Sequence, residues 1–412
     1  MKLLLVDTIE EARQKLLDCT SHWKVPVEKT EILRAHECIL AEDIVSPEDI
    51  PHFRRSTVDG YAVFSADTQG AGESVPALLK LTGSVEMGKR ADITLCRGEC
   101  VYVPTGAMLP DNADAMVMVE YSEIFDSDTI AIYESVAAGS HIVNIGEDKR
   151  QGEILLQKGT KIYCKEIGIL AAAGLTEVLK FVPLKIAIIS SGDELVSHSA
   201  LPGAAEIRDI NTLALCALAR ESLFEITVSQ ALKDDENLLE ETIREVMKSC
   251  DVVVLSGGSS QGTKDMTEKV FSCVASPGVF THGLAIKPGK PAILGYDRDS
   301  DTILAGLPGH PVSALMVFKV LLSWLTRQLT FQKEPVPIPA KITCNIAASA
   351  GRTTFQPVIL RSREYEYFAE PVFGKAGMIS TMTDSDGYIV IDMNKEGLVK
   401  GEIVFVYLWN CE

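Results

Sequence analysis

Between Leu184 and Leu329 the chain alternates short apolar runs with helical patterns, and this alternation restricts its fold more than any other feature. The strand-like runs are LKIAIISS, EITVSQAL, DVVVLSGG, VFTHGLAI and TILAGL. The helical patterns are NTLALCALARESL, with Asn211 as its predicted N-cap, ENLLEETIREVMKSC, residues 265–275 and PVSALMVFKVLLSWLTRQL. Strands that alternate with helices indicate a parallel sheet covered on both faces. The sequence therefore predicts a central parallel-sheet α/β domain.

The flanking segments have different patterns, which together predict a multidomain α/β and β protein. Residues 51–139 contain short strand-like segments separated by turn residues and predict a β-rich domain. Residues 1–50 and 140–180 predict one discontinuous mixed α/β domain. The α/β domain spans 181–330, and the short strands with glycine turns in 331–412 predict a small C-terminal β-barrel.

Two stretches near the α/β segment have helical spacing. From Thr8 to about Leu40, apolar residues recur at helical intervals through IEEARQKLLDCT and EILRAHECILAEDI. A second helix is predicted from Cys164 to Ala173, with Gly174 as its stop signal.

The net charge excludes one class of function. The chain carries 39 Lys and Arg against 57 Asp and Glu, a net charge of −18, whereas a general nucleic-acid binder shows a basic footprint. No run reaches the roughly 18 apolar residues that a membrane span needs, and MKLLLVDTIEEARQKLL does not resemble a signal peptide. Ten scattered cysteines fit free thiols in a reducing compartment. We therefore expect a cytoplasmic protein that binds neither nucleic acid nor membrane.

In the α/β segment, polar loops follow the strand-like runs or lie between them. The loops and their candidate residues are SSGDEL with Glu194, SGGSSQGTKD with Gly257, Gly258, Ser259 and Asp265, AIKPGKP with Lys287 and Lys290, and LPGHPVSA with Pro308, Pro311 and Ser313. Parallel sheets bind ligands at the carboxyl ends of their strands. Backbone amides and lysines suit phosphate oxygens, and carboxylates suit a hard cation such as Mg²⁺. The combination favours a phosphorylated ligand with Mg²⁺.

Each loop also has a purely structural interpretation. SSGDEL can cap a helix through Ser191 or Asp193, and SGGSS can be a tight turn. KPGKP can be an exposed type II turn with solvated lysines, and LPGHPVSA can begin a helix with Pro311 in its first turn. The coincidence of four such loops at one predicted sheet edge favours a binding site.

The region from 51 to about 150 adds three candidates. They are Asp59 in STVDGYAV, Thr105 in PTGAMLPDNADAMV and Asp148 in IGEDKRQGE. The alternatives are an Asp-Gly turn, a strand connection and a solvated charged turn, and the sequence leaves them open.

These motifs, in this order, closely resemble the molybdopterin molybdenumtransferase family, known as MoeA in bacteria and as the E domain of gephyrin in animals. The resemblance covers nearly the whole chain. It implies a MogA-like α/β domain in a four-domain chain, an elongated homodimer, and a site between the α/β domain of one subunit and the β-rich domain of the other. It also implies an enzyme that inserts molybdate into adenylylated molybdopterin and releases AMP with Mg²⁺. Tungstate is a possible substitute for molybdate, and other cofactor-assembly proteins are possible partners.

The resemblance also implies residue roles, carried over motif by motif. The catalytic residues are Glu194, Asp59, which reaches in from the partner subunit, Asp265 and Asp148. The substrate-binding residues are Thr105, Asp234 in LKDDENL, Gly257, Gly258, Ser259, Lys287, Lys290, Pro308, Pro311 and Ser313. Asp265, Asp59 and Glu194 are expected to position the metal. The chain departs from the family pattern at His310 and Ala376, where the family often has Asn and Ser, and at Gly283, where some members have Lys.

Two other functions compete with this one. The α/β segment alone also resembles the enzyme that adenylylates molybdopterin, which shares the SGG loop and a following Asp. A non-catalytic dimeric scaffold of the gephyrin E-domain type is the second alternative. The motif VDGYA and the barrel-like tail favour the metal-inserting enzyme.

Overall fold

The computed structural model describes residues 6–257 and 263–409, with the side chains of 263–265 outside the description. Its centre is a six-stranded sheet. In spatial order the strands are Phe224–Leu232, Leu184–Ser191, Val252–Gly257, Thr302–Pro308, Ile293–Asp297 and Pro277–His282. The first four are parallel to one another, as predicted.

The last two strands each pair antiparallel with the strand before them in this order, which the sequence did not predict. Only residues 298–301 separate Ile293–Asp297 from Thr302–Pro308, and 283–292 separate it from Pro277–His282. A parallel pairing needs a crossover connection of about a dozen residues or more. These connections are too short for one, so the chain reverses direction twice at this edge.

Helices cover both faces of the sheet and bury two apolar cores. One face packs against Ile9–Thr20, Asn211–Glu221 and the helix that runs from Pro311 to Leu329. The other face packs against Glu236–Met247 and Thr263–Val274. The helix Ile9–Thr20 begins with a capping box, in which the side chains of Thr8 and Glu11 each accept from the other residue's backbone N–H.

The helix from Pro311 to Leu329 consists of Pro311–Phe318, a π-helical turn Lys319–Ser323 and Trp324–Leu329. Among the residues that the structure describes, it is the one helix long and apolar enough to cross a membrane. However, 72% of its most apolar stretch is buried inside the protein. It is a core helix of the α/β domain, with Phe318 and Leu321 fully buried against the sheet.

The β-rich region forms a second six-stranded sheet. In spatial order the strands are Ala115–Met118, Gly60–Val63, Glu99–Val103, Ala77–Ser84, Thr129–Ile132 and Ser122–Ile124. Just before and just after this sheet in the chain, Arg55–Ser56 and Ile142–Val143 pair as a two-stranded antiparallel ribbon.

The mixed region contains two small antiparallel pairs and one helix. Val27–Glu31 pairs with Glu177–Phe181, Ile44–Val45 pairs with Ile154–Leu156, and the helix is Cys164–Ala172. Gly174 follows this helix at φ +70°, which confirms the predicted stop signal.

The prediction of a helix in EILRAHECILAEDI is wrong. Val27–Glu31 is a strand, only Ile32–Arg34 forms a short 3₁₀ turn, and Leu40 makes backbone hydrogen bonds with Thr160 and Gly159. Pairing with residues 154–181 satisfies the backbone groups that a helix would have satisfied internally, and this tertiary pairing overrides the local apolar spacing.

The C-terminal region is the predicted barrel. Its strands Thr353–Arg363, Glu366–Pro371, Ile338–Ile342, Ile403–Leu408 and Gly387–Ile391 follow one another in space, and the last pairs back with the first. Five strands therefore close without a free edge. The α/β domain adds Ile286–Lys287, which pairs in parallel with Thr353 and Thr354.

Candidate functional site

Four loops leave the carboxyl edge of the parallel strands at one level. Ser191 pairs laterally with Leu232 on one side and with Gly257 on the other, and Gly257 pairs with Pro308. Each of these four is the last residue of its strand. The polar segments that follow therefore begin side by side, at the edge where open α/β sheets bind ligands.

The first loop presents Glu194 at the surface. Gly192 donates its N–H to the Leu232 carbonyl at 3.1 Å, and Glu194 accepts from the Ile207 N–H at 2.8 Å through its own carbonyl. The Glu194 carboxylate folds over Gly192, where a Cβ would lie 2.9 Å from Oε2. A short strand, Leu195–Val196, follows directly, so the interpretation of SSGDEL as a helix cap is wrong.

Asp234 lies beside this loop with an incompletely satisfied carboxylate. Its N–H donates to Asp193 Oδ1 at 3.3 Å, and the Ser191 hydroxyl lies near the Asp234 carboxylate. Its Oδ1 is buried and has no hydrogen-bond partner among the residues that the structure describes. Burial raises the pKa of the Asp234 carboxyl, the nearby Ser191 hydroxyl opposes this rise, and Asp193 and Glu194 raise the pKa further. A ligand group that offers a hydrogen or positive charge would satisfy this oxygen.

Position 257 requires glycine because Ser191 on the neighbouring strand lies very close to it. A Cβ at this position would lie 2.0 Å from Ser191 Oγ and 2.9 Å from the Ser191 carbonyl oxygen, so only glycine fits. The backbone of Asp265 belongs to the helix Thr263–Val274. The predicted site residues Gly258 and Ser259 and the side chain of Asp265 lie outside the described residues.

A polar layer beneath the loops was missed by the sequence reasoning. Asn211 Nδ2 donates to Ser256 Oγ at 2.9 Å and to the Gly309 carbonyl at 2.9 Å, so it joins the ends of two strands. Asp209 Oδ1 accepts from the Thr212 N–H at 3.1 Å. Asn211 is the first residue of its helix and not the N-cap, which is Ile210. The sequence signal was the set of polar residues Asp209, Asn211 and Thr212 at the start of an apolar helix.

The fourth loop starts a helix as one interpretation predicted. Pro308 ends its strand and is buried, Pro311 is the first helical residue, and Ser313 is buried in the first turn. The fixed φ of proline suits this first position, where no intrahelical hydrogen bond is lost.

Two of the three departures from the family pattern meet at this helix start. The N–H of Val312 donates to the Ala376 carbonyl of the barrel at 3.2 Å. A Cβ on Gly377 would lie 3.0 Å from the His310 ring, so the ring packs against the same barrel loop. The barrel therefore covers one side of the site, and Ala376 contributes its backbone there.

The two lysines lie at the same edge of the sheet. Lys287 and Lys290 are exposed in the loop that leads into the strand Ile293–Asp297. Ile293 pairs with Gly306, two residues before Pro308, so the loop emerges beside the other candidate segments. Exposed ammonium groups in this place suit a phosphate or another oxyanion.

The remaining candidates lie on the β-rich side. Asp59 Oδ1 accepts from the Thr105 N–H at 2.8 Å, and both residues are exposed. Asp148 is exposed, and its N–H donates to the Ile50 carbonyl at 3.1 Å. Among the described residues, no hydrogen bond or ion pair joins residues 51–139 to the α/β domain. The structure therefore brings Asp59 and Thr105 together but does not bond them to Glu194 within one chain.

In the part of the chain that the structure describes, no group of three or more His, Cys, Asp or Glu could hold a metal ion by itself. The carboxylates near the four loops can instead share a cation with phosphate oxygens, which is how Mg²⁺ commonly binds.

Three family models cover most of the chain. Residues 7–174 match the MoeA N-terminal region (domain I and II), residues 187–327 match a probable molybdopterin binding domain, and residues 339–409 match the MoeA C-terminal region (domain IV).

Related sequences and structures agree with these models. A putative molybdopterin biosynthesis protein of Methanocaldococcus jannaschii is 32% identical over 397 residues, which span 93% of this chain and 92% of the relative. A molybdopterin molybdenumtransferase of Haemophilus influenzae is 31% identical over 412 residues, 98% of each chain. A crystal structure of a molybdopterin biosynthesis MoeA protein of Pyrococcus horikoshii superimposes with a TM-score of 0.78 at 34% identity, covering 98% of this chain and 99% of that one.

Proposed function

The chain belongs to the MoeA family of molybdopterin molybdenumtransferases, and from that premise we propose that it inserts molybdate into adenylylated molybdopterin and releases AMP in a step that depends on Mg²⁺. The lateral alignment of Ser191, Leu232, Gly257 and Pro308 is the observation that carries this proposal. It supplies one edge at which a phosphoanhydride, a cation and an oxyanion can be held together.

The phosphate side of the site is supported by the loops after Gly257 and around the lysines. Backbone amides after a strand, with Gly258 and Ser259 as the expected residues, would face the pyrophosphate. Lys287 and Lys290 would neutralise phosphate or molybdate charge. Pro308, Pro311 and Ser313 would form the neighbouring wall through the fourth loop.

The carboxylates support a cation. Asp234 has a buried oxygen without a partner in the described chain, and Glu194 is exposed beside it. Glu194, Asp265 and Asp59 would hold Mg²⁺ together with substrate phosphates, and Asp148 and Thr105 would orient the substrate. When bound, Mg²⁺ would withdraw charge from the phosphoanhydride so that AMP can leave.

A homodimer would complete the site. Asp59 and Thr105 lie in a domain that makes no hydrogen bond or ion pair to the α/β domain within the described residues of one chain. We infer that Asp59 acts beside Glu194 of a second copy. The nine described cysteines are free thiols, which supports a reducing, cytoplasmic setting.

The test is AMP release by the purified protein from adenylylated molybdopterin, with molybdate, with tungstate and with neither. We expect release that requires the oxyanion and Mg²⁺, and the molybdate and tungstate arms measure metal preference. ATP-dependent formation of adenylylated molybdopterin, without oxyanion-dependent release, would instead favour the adenylylating enzyme.

The two-copy site has its own test. Asp59→Asn and Glu194→Gln should each abolish AMP release, because each removes one half of every site. Mixing equal amounts and allowing subunits to exchange should restore about a quarter of wild-type sites, because a mixed dimer of a symmetric pair carries one intact and one doubly altered site. A mixture as inactive as its components would refute the two-copy site.

A further inference from the structure

The loop that carries both lysines is closed at its base by backbone hydrogen bonds. Gly283 donates its N–H to the Ala292 carbonyl at 2.8 Å, and Leu284 donates to the Lys290 carbonyl at 2.9 Å. These bonds fix where the loop leaves the sheet. They do not by themselves hold the loop against the rest of the domain.

Asp7 supplies a second attachment through its backbone. Its N–H donates to the Gly283 carbonyl at 3.1 Å, and its carbonyl accepts from the Ala285 N–H at 2.8 Å, which forms a parallel bridge to Leu284. Ala285 is two residues before Lys287, so this bridge lies next to the basic segment.

The Asp7 side chain holds that bridge in place. Asp7 Oδ2 accepts from Thr281 Oγ1 at 2.6 Å and from Lys15 Nζ at 2.5 Å. Lys15 also donates to the Phe280 carbonyl at 3.1 Å. Thr281 is 1% exposed, so its hydroxyl depends on Asp7 for a partner that water cannot replace.

Gly283 shows how closely the two segments approach. It has φ +101°, and a Cβ there would lie 2.9 Å from Val6 Cγ1. The lysine that some family members have at this position would clash with Val6. In this chain Val6 and the Lys290 carbonyl fill the space beside Gly283.

The barrel contacts Ala285, the residue whose N–H donates to Asp7, from the opposite side. Thr353 donates its N–H to the Ala285 carbonyl at 2.9 Å, and Lys287 pairs with Thr354. The segment before the lysines is therefore fixed between Asp7 on one side and a barrel strand on the other.

We propose that Asp7 is a positioning residue for Lys287 and Lys290, acting through Thr281 and the Leu284 bridge. This inference rests on the proposed function, in which the two lysines bind the anionic reactants. Because Asp7 fixes where the basic loop lies, loosening it should weaken anion binding more than it slows turnover of the saturated enzyme.

The experiment compares Asp7→Asn and Thr281→Val in the full-length protein with wild type. The matched control is Asp18→Asn in the helix Ile9–Thr20, where, among the described residues, the carboxylate accepts only from Gln14. Two quantities are measured: the hydrogen-exchange rates of the Leu284 and Ala285 amides, and KM and kcat for molybdate in AMP release. We expect faster exchange and a KM about three- to tenfold higher for both variants, with kcat within twofold, because a change of this size corresponds to the loss of one typical hydrogen bond.

The lysine variants Lys287→Ala and Lys290→Ala separate the possible failures. If they raise KM while Asp7→Asn and Thr281→Val do not, the lysines bind the anion and Asp7 does not position them, so this inference is overturned alone. If the lysine variants leave KM unchanged, the proposed anion site fails and this inference fails with it. Unchanged amide exchange in Asp7→Asn and Thr281→Val would also overturn it.

Discussion

Replacing Gly257 with alanine should disrupt the junction of the first two loops. The added Cβ would lie 2.0 Å from Ser191 Oγ and 2.9 Å from the Ser191 carbonyl oxygen. The hydroxyl can rotate away, but the carbonyl belongs to the neighbouring strand and cannot. Relief therefore requires the two strand ends to separate, and overpacking of this kind costs about 1–3 kcal/mol in unfolding free energy.

The assay is urea denaturation at equilibrium together with AMP release. We expect Gly257→Ala to lower the unfolding free energy by about 2 kcal/mol and to lower kcat, because moving Ser191 shifts the strand ends from which the candidate loops leave. Adding Ser191→Ala removes only the hydroxyl contact and leaves the Ser191 carbonyl oxygen 2.9 Å from the new Cβ, so the double variant should recover less than about 0.5 kcal/mol.

A matched control is Gly168→Ala in the helix Cys164–Ala172, where a Cβ would meet no atom within 4 Å. This change should stabilise the protein by about 0.5–1 kcal/mol, because alanine loses less backbone entropy than glycine. A neutral Gly257→Ala, or a double variant that recovers most of the lost stability, would refute the reasoning that the carbonyl sets the cost.

Two further changes test the carboxylate and the polar layer beneath it. Asp234→Asn should raise the unfolding free energy at pH 7, because a carboxyl whose pKa is raised by folding loses stability as pH rises above its unfolded pKa of about 3.9. The gain should shrink towards zero as the pH falls below that value, and denaturation curves at pH 7 and pH 3 check it; an equal gain at both would contradict it. Asn211→Ala should lower the unfolding free energy by about 1–3 kcal/mol, because Ser256 and Gly309 lose a buried donor. Urea denaturation measures this cost, and a loss below about 0.5 kcal/mol would show that the amide is dispensable.

Local signals in the sequence predicted the helices whose ends are set by residues nearby in the chain. The helix Cys164–Ala172 with its Gly174 stop is confirmed, and so is the helix that begins at Pro311. Each has an apolar pattern that agrees with its terminal residue, so local and tertiary preferences coincide.

Elements that depend on distant partners were not predictable in the same way. The residues after Glu31 have helical spacing but pair with 154–181, and no local signal shows this. The antiparallel direction of Ile293–Asp297 follows from short connections on both sides, which the sequence pattern alone did not reveal. Register is set by the whole sheet and not by one strand.

For the candidate site, the sequence identified loops but not their support. It predicted that Glu194 and Gly257 lie near one sheet edge, because strand order in α/β domains constrains loop position. It did not identify Asn211 as the bridge between Ser256 and Gly309, nor Asp7 as the attachment of the basic loop. Those contacts span 45 or more residues, and each residue has an ordinary local role available to it.

The measurement that tests the central claim most directly is the coupling between AMP release and metal insertion. The purified protein is incubated with adenylylated molybdopterin, Mg²⁺ and molybdate, and both AMP and pterin-bound molybdenum are quantified in the same sample. We predict that the two products form in equal amounts and that Glu194→Gln forms neither. AMP release without molybdenum insertion, or insertion that Glu194→Gln carries out at the wild-type rate, would contradict the proposed function.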